Sequence, residues 1–120
     1  MADAVNTRLP STVTVTIANG ANLSGAFDMS GMAGAVVHMP AAWTSASLGL
    51  KVASDESGTY QVLRDDDGNL IQVDSPAASN SYVLPAATFP VRWAKLWSQD
   101  GSGNDAAQGA ARSLVIDLKP

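Results

Sequence analysis

The feature that most constrains the fold is a strict alternation over residues 12–17, which read TVTVTI. Successive side chains of a β-strand point to opposite faces, so this period of two places Val13, Val15 and Ile17 on one face. The three threonines lie on the other face. The segment is therefore predicted to be a strand with one apolar and one polar side.

The Asn19-Gly20 pair follows this strand and supplies a turn in which both residues tolerate positive φ. A second alternation runs from Leu23 to Met29, so residues 12–29 are predicted to form a hairpin. Further strands, separated by turns rich in Asp, Gly, Ser, Asn and Pro, are predicted at residues 35–39, 48–53, 60–64, 70–73, 81–84, 91–98 and 113–118.

Helical signal is weak, and only residues 40–43 (PAAW) predict a short helical turn, with proline in the first turn. Short strands at this spacing are typical of a sandwich or a barrel. The predicted fold class is all-β, an antiparallel β-sandwich of about eight to nine short strands.

A length of 120 residues fits one domain. Residues 1–10 are predicted to be an extended N-terminal arm, and residues 11–120 a single β-sandwich domain. Apolar residues make up 46% of the chain and charged residues only 15%, which favours a packed fold over disorder. The chain has no cysteine, which excludes disulfides, thiolate metal sites and a cysteine nucleophile.

The net charge is −4, and the seven Lys and Arg residues are dispersed along the chain. No stripe of positive charge follows a phosphate backbone, so nucleic acid is not an expected partner. No segment approaches the run of about 18 apolar residues that crosses a membrane, and the first residues lack the pattern of a signal peptide. We therefore expect synthesis in the cytoplasm and no membrane partner.

His38 is the only histidine and the first candidate for catalysis. A general base needs an orienting carboxylate and a nucleophile, and the sequence has no Gly-x-Ser-x-Gly elbow. We therefore interpret His38 as a surface or interface residue and predict no catalytic residues and no enzymatic activity.

Asp65, Asp67 and Asn69 have the every-second-residue spacing that begins a calcium loop. However, Gly68 comes one residue too early, and Pro76 stands where a bidentate glutamate belongs. The segment is better explained as a solvated hairpin turn. No metal and no other cofactor is predicted.

Three tryptophans raise the alternative of sugar binding, because exposed indole faces stack on sugar rings. In residues 91–97 the alternation places Trp93, Lys95 and Trp97 on one face and Ala94 with Leu96 on the other. Either face is compatible with the core at this point. One interpretation makes the indoles core or interface anchors, and the other makes them a glycan site.

The ordered pattern resembles a group of small proteins encoded among the virion genes of tailed bacteriophages and prophages. The resemblance rests on the first strand with Asn19-Gly20, on residues 35–46 (AVVHMPAAWTSA), on residues 48–54 (LGLKVAS) with the acidic turn after them, and on residues 108–112 (QGAAR). It covers most of residues 11–118. It implies a jelly-roll sandwich, similar to galactose-binding-like domains, that acts as a capsid decoration (cement) protein or another minor virion component.

This resemblance gives four further expectations. The partner is the major capsid protein, the site of action is the outer capsid surface of the virion, and the protein forms a homo-oligomer, a trimer by the symmetry of such sites. The expected partner-contact residues are Arg8, Leu9, Pro10, Trp43 and Trp97. The alternative is a glycan- or receptor-binding module on a virion fibre or tail.

Overall fold

The computed structural model describes residues 10–120, which form an antiparallel β-structure with one turn of 3-10 helix at Ala86–Thr88. The strands are β1 (Ser11–Ile17), β2 (Leu23–Asp28), β3 (Gly34–His38), β4 (Ser47–Ala53), β5 (Gln61–Val62), β6 (Gln72–Val73), β7 (Ser81–Val83), β8 (Trp93–Gln99) and β9 (Arg112–Lys119). The prediction of an all-β chain with eight to nine short strands is confirmed. Within the described range no helix is long and apolar enough to span a membrane.

The strands form one curled sheet in the order β5-β4-β8-β2-β1-β9-β3-β7, and β6 also pairs with β4. We call β1, β9, β3 and β7 the β1 half, and β2, β8, β4, β5 and β6 the β8 half. The first strand lies beside the last, and the second lies beside the eighth. The curl of the sheet is consistent with a β-sandwich or barrel-like fold.

The predicted hairpin exists only at the corner between the two halves. Gly20, with φ of 78°, makes the turn, but β1 and β2 pair at a single position, Ile17 with Ser24. Along its whole length β1 pairs instead with β9, from Ser11 opposite Leu118 to Ile17 opposite Arg112. The hairpin prediction was therefore wrong in extent, because the turn carries the chain from one half of the sheet to the other.

The helical turn predicted at residues 40–43 was also wrong. These residues are irregular, and the main chain just after them is held by Gln108, whose Oε1 accepts a hydrogen bond from the Thr44 N–H at 2.9 Å. The 3-10 turn lies instead after Pro85, where the main-chain N–H and the hydroxyl of Thr88 both donate to the Pro85 carbonyl oxygen.

The core lies between the two halves and takes side chains from both. In β1, Val15 and Ile17 are buried, Val13 packs against the core, and the threonines face water, as the alternation predicted. Other core members include Val37, Leu114 and Ile116 from the β1 half and Phe27, Leu48, Leu50, Ala94 and Leu96 from the β8 half. The Val, Leu, Ile and Phe side chains among them each contribute about 1.5–3 kcal/mol when fully buried.

The structure shows which face of β8 points into the core. Ala94 and Leu96 belong to the core, so Trp97 points away from it. The indole is nevertheless only 2% exposed, because Asp105 accepts a hydrogen bond from its Nε1 at 2.7 Å and the Lys51 ammonium lies 4.8 Å from the ring centroid. Opposite Trp97 on β4 stands Gly49, whose missing side chain leaves room for the ring.

We expect Gly49→Ala to destabilise the fold by about 1–3 kcal/mol, the usual cost of overpacking. A Cβ at this position would lie 2.9 Å from Cε3 of Trp97, closer than carbon atoms pack. Urea denaturation at neutral pH measures the change. Gly25→Ala is the matched control, because a Cβ there meets nothing within 4 Å, and it should change stability by about 0.5 kcal/mol or less. Equal stability of the two variants would contradict this account of Gly49.

Candidate functional site

The outer face of the β1 half carries an apolar depression that we call the valine groove. It has a volume of about 350 Å³ and is lined by Gly34, Ala35, Val36, Val83, Asp117 and Lys119. Val83 is 75% exposed, and the only other large hydrophobic side chain so exposed in the described range is Phe89. An apolar depression on an otherwise polar surface marks a place where another group binds.

The groove lies along an open edge of the sheet. Strand β7 is the last in the strand order, and its main-chain bonds to β3 run from the Leu84 N–H to the Ala35 carbonyl and from the Met39 N–H to the Asn80 carbonyl. In an antiparallel pair the bonded positions alternate, so the main-chain groups of Ser81 and Val83 point away from β3. These groups are available to an added strand.

A polar network crosses the same outer face next to the groove. His38 lies between Ser81 and Asp117, with Nδ1 at 2.6 Å from the serine Oγ and Nε2 at 2.7 Å from the carboxylate Oδ2. The Thr12 hydroxyl donates to the other carboxylate oxygen at 2.8 Å. Four strands, β7, β3, β9 and β1, therefore contribute one side chain each to a continuous chain of hydrogen bonds.

The composition of this network is that of a hydroxyl, an imidazole and a carboxylate in series, as in hydrolytic triads. Its setting differs, because the His38 and Asp117 side chains are 40% and 48% exposed on an open face. Catalytic hydrogen bonds act in sites that exclude water. We therefore interpret the network as a cross-strand clamp that fixes the outer face of the β1 half.

The electrostatics of the network depend on Asp117. Hydrogen bonds from His38 and, second, from Thr12 hold the pKa of the Asp117 carboxyl below its ordinary value. The carboxylate only accepts, so Nε2–H of His38 donates to it, and in the neutral imidazole Nδ1 accepts from the Ser81 hydroxyl. Sequence analysis missed both partners of His38, because they lie 43 and 79 residues away and no local signal joins them.

Two of the segments on which the resemblance rests, residues 35–46 and residues 108–112, contact each other in a second network. Gln108 is 1% exposed, and its Nε2 donates to the Thr44 carbonyl at 3.0 Å and to the Ser98 hydroxyl at 2.9 Å. Its Oε1 accepts from the Thr44 N–H and from Arg112 Nε. We call Gln108, Thr44, Ser98 and Arg112 the glutamine clamp.

The acidic turn after β5 is organised by the carboxylate of Asp65. Asp65, Asp66 and Asp67 bring carboxylates within 4.8 Å of one another, the one such acidic group among residues 10–120. The Asp65 carboxylate accepts the N–H groups of Asp67 and Asn69, and the Asn69 bonds come first among the causes that lower its pKa. The Asp65 carboxylate therefore stabilises its own turn, as the hairpin interpretation predicted.

Three of the five predicted partner-contact residues, Pro10, Trp43 and Trp97, lie in the described part of the chain. Trp97 is covered by the chain itself, and Trp43 is half-buried, with its Nε1 donating to the Ala46 carbonyl. Pro10 is exposed at the start of β1. Arg8 and Leu9 lie outside the described residues. Pro10, Trp43 and Trp97, the three described positions, do not form one surface, and the contacts of all five residues with a partner stay predictions.

A second depression, of about 390 Å³, lies at one end of the β8 half. Its floor is apolar, with Val52, Leu63 and Val91, and its rim is polar and exposed, with Ser54, Thr59, Gln61 and Arg92. Apolar floors with a few polar groups are typical of small-molecule sites. We call this depression the arginine cleft.

No protein-family model and no curated protein matches the sequence. Among solved structures, the chain is similar to the SPBc2 prophage-derived protein YomS. The TM-score is 0.51 at 14% sequence identity, and the match covers 95% of this chain and 97% of that one. The likeness shows a shared fold. The similarity extends over nearly the whole of both chains.

We expect Gln108→Met to destabilise the fold by about 2–4 kcal/mol, because the N–H and carbonyl of Thr44 and the Ser98 hydroxyl lose their partner, and each buried unpaired group costs about 1–3 kcal/mol. Thermal and urea unfolding measure the loss. Gln61→Met is the control, since this exposed side chain has no hydrogen bond within the described part of the chain. A Gln108→Met protein as stable as the Gln61→Met protein would contradict the stabilising role of the glutamine clamp.

We expect Asp117→Asn to lower stability at pH 7 and to flatten its dependence on acid pH. Because folding lowers the pKa of Asp117, its contribution is present above the unfolded value of about 3.9 and is lost as the pH falls through the folded pKa. The difference in unfolding free energy between wild type and variant should therefore shrink as the pH falls from neutral to below the folded pKa of Asp117. Urea titrations at several pH values test this. Asp66→Asn is the control, because this exposed aspartate accepts no hydrogen bond from residues 10–120. The same dependence of the stability difference on pH in Asp66→Asn would refute the role of Asp117.

Proposed function

We propose that this chain is a structural protein of a tailed-bacteriophage particle, of the capsid decoration (cement) type, which binds the outer head surface and stabilises the shell. The observation that carries the proposal is the valine groove, an apolar surface on an open sheet edge of a small rigid domain. The fold shared with a prophage-derived protein supports a phage origin.

The groove suits attachment better than chemistry. Burial of Val36 and Val83 against a partner favours binding by roughly 25 cal/mol per Å² of apolar surface removed from water. The free main-chain groups of β7 give such a partner strand direction and register. One contact of this size is weak, but many copies on one shell act together, which is how a cement protein stabilises a large assembly.

Charge supports an outer location. The net charge of −4 disfavours contact with the packaged nucleic acid and is compatible with the outside of a shell. The proposed partner is the major capsid protein, at points where its subunits meet, and a trimer matches the local symmetry of such points. The proposed function is mechanical and requires no cofactor.

The arginine cleft favours a second candidate, a glycan- or receptor-binding module. Its rim offers hydroxyl, amide and guanidinium groups that make no side-chain hydrogen bond within the described range, and Trp93 is half-exposed on the neighbouring outer face. Sugars bind to such combinations of polar groups and aromatic faces.

We expect Val83→Asp to weaken binding to shells of the major capsid protein encoded beside this chain by about tenfold or more, since a charge replaces the exposed apolar centre of the groove. Co-sedimentation of purified protein with shells measures binding, and the temperature of shell disruption measures stabilisation. Phe89→Asp is the matched control, because it changes the other exposed large hydrophobic side chain, which does not line the groove.

Wild-type binding by Val83→Asp, or equal loss in both variants, would contradict attachment through the groove. Absence of any binding by the wild-type protein would contradict the decoration role itself. Specific glycan-array binding that is lost in Trp93→Ala or Arg92→Gln, with the fold intact, would favour the second candidate.

A further inference from the structure

We infer that the arginine cleft binds a sugar that carries a carboxylate, a hexuronic acid. The inference rests on the second candidate function, glycan binding at this cleft, and it names the class of sugar. It does not depend on attachment to a phage head, because the cleft lies in the β8 half and the valine groove lies in the β1 half. The volume of the cleft, about 390 Å³, falls within the range of about 300–1,000 Å³ that is typical of small-ligand pockets.

The guanidinium of Arg92 supplies the positive charge of the cleft. Arg92 is the one charged residue in the described lining, and its side chain is exposed. The other two arginines of residues 10–120 are engaged by the protein, since Arg64 donates to a main-chain carbonyl at 2.9 Å and Arg112 donates to the glutamine clamp. The Arg92 guanidinium makes no hydrogen bond and no ion pair within the same range. Its planar fork of N–H donors matches a carboxylate through two parallel hydrogen bonds.

The main chain around Arg92 is fixed, so the cleft exists before a ligand binds. The Arg92 carbonyl accepts a hydrogen bond from the Met29 N–H at 2.6 Å. The Val91 N–H donates to the carbonyl of Thr88, a residue that is only 1% exposed. Most of the other lining residues lie on β4, on β5 or next to them, and these two strands pair with each other. A site that is already formed loses little conformational entropy on binding.

The uncharged part of the rim suits the hydroxyl groups of a sugar ring. The hydroxyls of Ser54 and Thr59 and the amide of Gln61 are exposed, and none of these side chains is hydrogen-bonded within the described part of the chain. Hydroxyl and amide groups both donate and accept hydrogen bonds, as the hydroxyls of a sugar require. Asp55 and Glu56, in the same connection, lie outside the lining, so no negative charge in the described lining opposes an acidic ligand.

The apolar part of the cleft suits the C–H face of the same ring. Val52 and Leu63 are half-buried against the core, and Val91 is a buried core member. Trp93 stands opposite Ala53 in the pairing of β4 with β8, and opposed side chains lie on the same face, so the half-exposed indole borders the lining. A hexuronic acid uses the charged, the polar and the apolar groups of the cleft together. A neutral sugar leaves the guanidinium unused, and a simple carboxylate leaves the other two kinds of group unused.

Titration of the full chain with matched pairs of sugars tests this inference. Methyl glucuronide and methyl glucoside differ only in a carboxylate against a hydroxymethyl group, and methyl galacturonide with methyl galactoside forms a second pair. Main-chain amide signals in NMR spectra report binding. We expect the signals of Thr59, Gln61 and Arg92 to shift and those of Val36 and Val83 to stay unchanged. At least one uronide should bind about threefold to tenfold more tightly than its neutral partner.

Two variants locate the preference. Arg92→Gln should abolish it and leave the affinity for the neutral sugar unchanged. Lys119→Gln is the matched control, because it removes an equal charge from the valine groove, and it should keep the preference. Amide spectra that match wild type outside the substituted site show that both variants are folded. A preference that persists in Arg92→Gln, or that is lost equally in Lys119→Gln, would overturn the inference.

The sugars themselves decide the rest. Equal affinity for each uronide and its neutral partner would overturn the inference but not glycan binding at the cleft. Acetate that binds as tightly as the uronides would overturn it, because the sugar ring would then contribute nothing. Absence of binding by all four sugars would overturn it as well, whereas the glycan array, which also contains neutral glycans, decides the second candidate function separately. Since no shells are present, none of these results bears on the decoration proposal.

Discussion

The pairing of β1 with β9 is the constraint on which the rest of the structure depends. It joins seven consecutive positions near the beginning of the chain to seven near its end, from Ser11 opposite Leu118 to Ile17 opposite Arg112. Closing so long a loop costs chain entropy, but that cost grows only slowly with length. Strand β3 pairs with the other side of β9, and β2 continues from the far end of β1, so the β1–β9 pair connects the strands of both halves.

The same pairing explains why the outer face of the β1 half is not uniform. Strand β1 is apolar inside and threonine outside, as expected for a strand with one wet face. Strands β3 (GAVVH) and β9 (RSLVIDLK) carry apolar residues on both faces, with Val36 and Val115 pointing outward. Val36 and Val115 are therefore apolar positions on an open face that also carries His38 and Asp117, and the exposed Val83 on β7 extends this apolar surface to the sheet edge.

Local pattern was enough to predict most strands and turns, and it failed where distant residues decide the outcome. The acidic turns could be predicted because Asp65 and Asp100 each begin an Asp-x-x-Gly-Asn sequence. In each turn the aspartate carboxylate accepts a hydrogen bond from the main-chain N–H of the asparagine four residues later. The partners of His38 could not be predicted from the sequence, because only the register of the paired strands places Asp117 and Ser81 beside it. Likewise, the burial of Trp97 depends on a later loop that places Asp105 over the indole.

The two ends of β1 differ in a way that bears on function. At Ile17 the chain meets Arg112 and the glutamine clamp, where hydrogen bonds from the buried Gln108 side chain join the loop at Thr44 to β8 and to the start of β9. At Ser11 the chain pairs with Leu118, next to Lys119, which lines the groove. The proposed structural role requires a body that does not deform and a surface that adapts to a neighbour. Because buried polar networks are rigid only when every member is paired, the clamp supplies the first requirement, and the groove at the opposite end of the strand supplies the second.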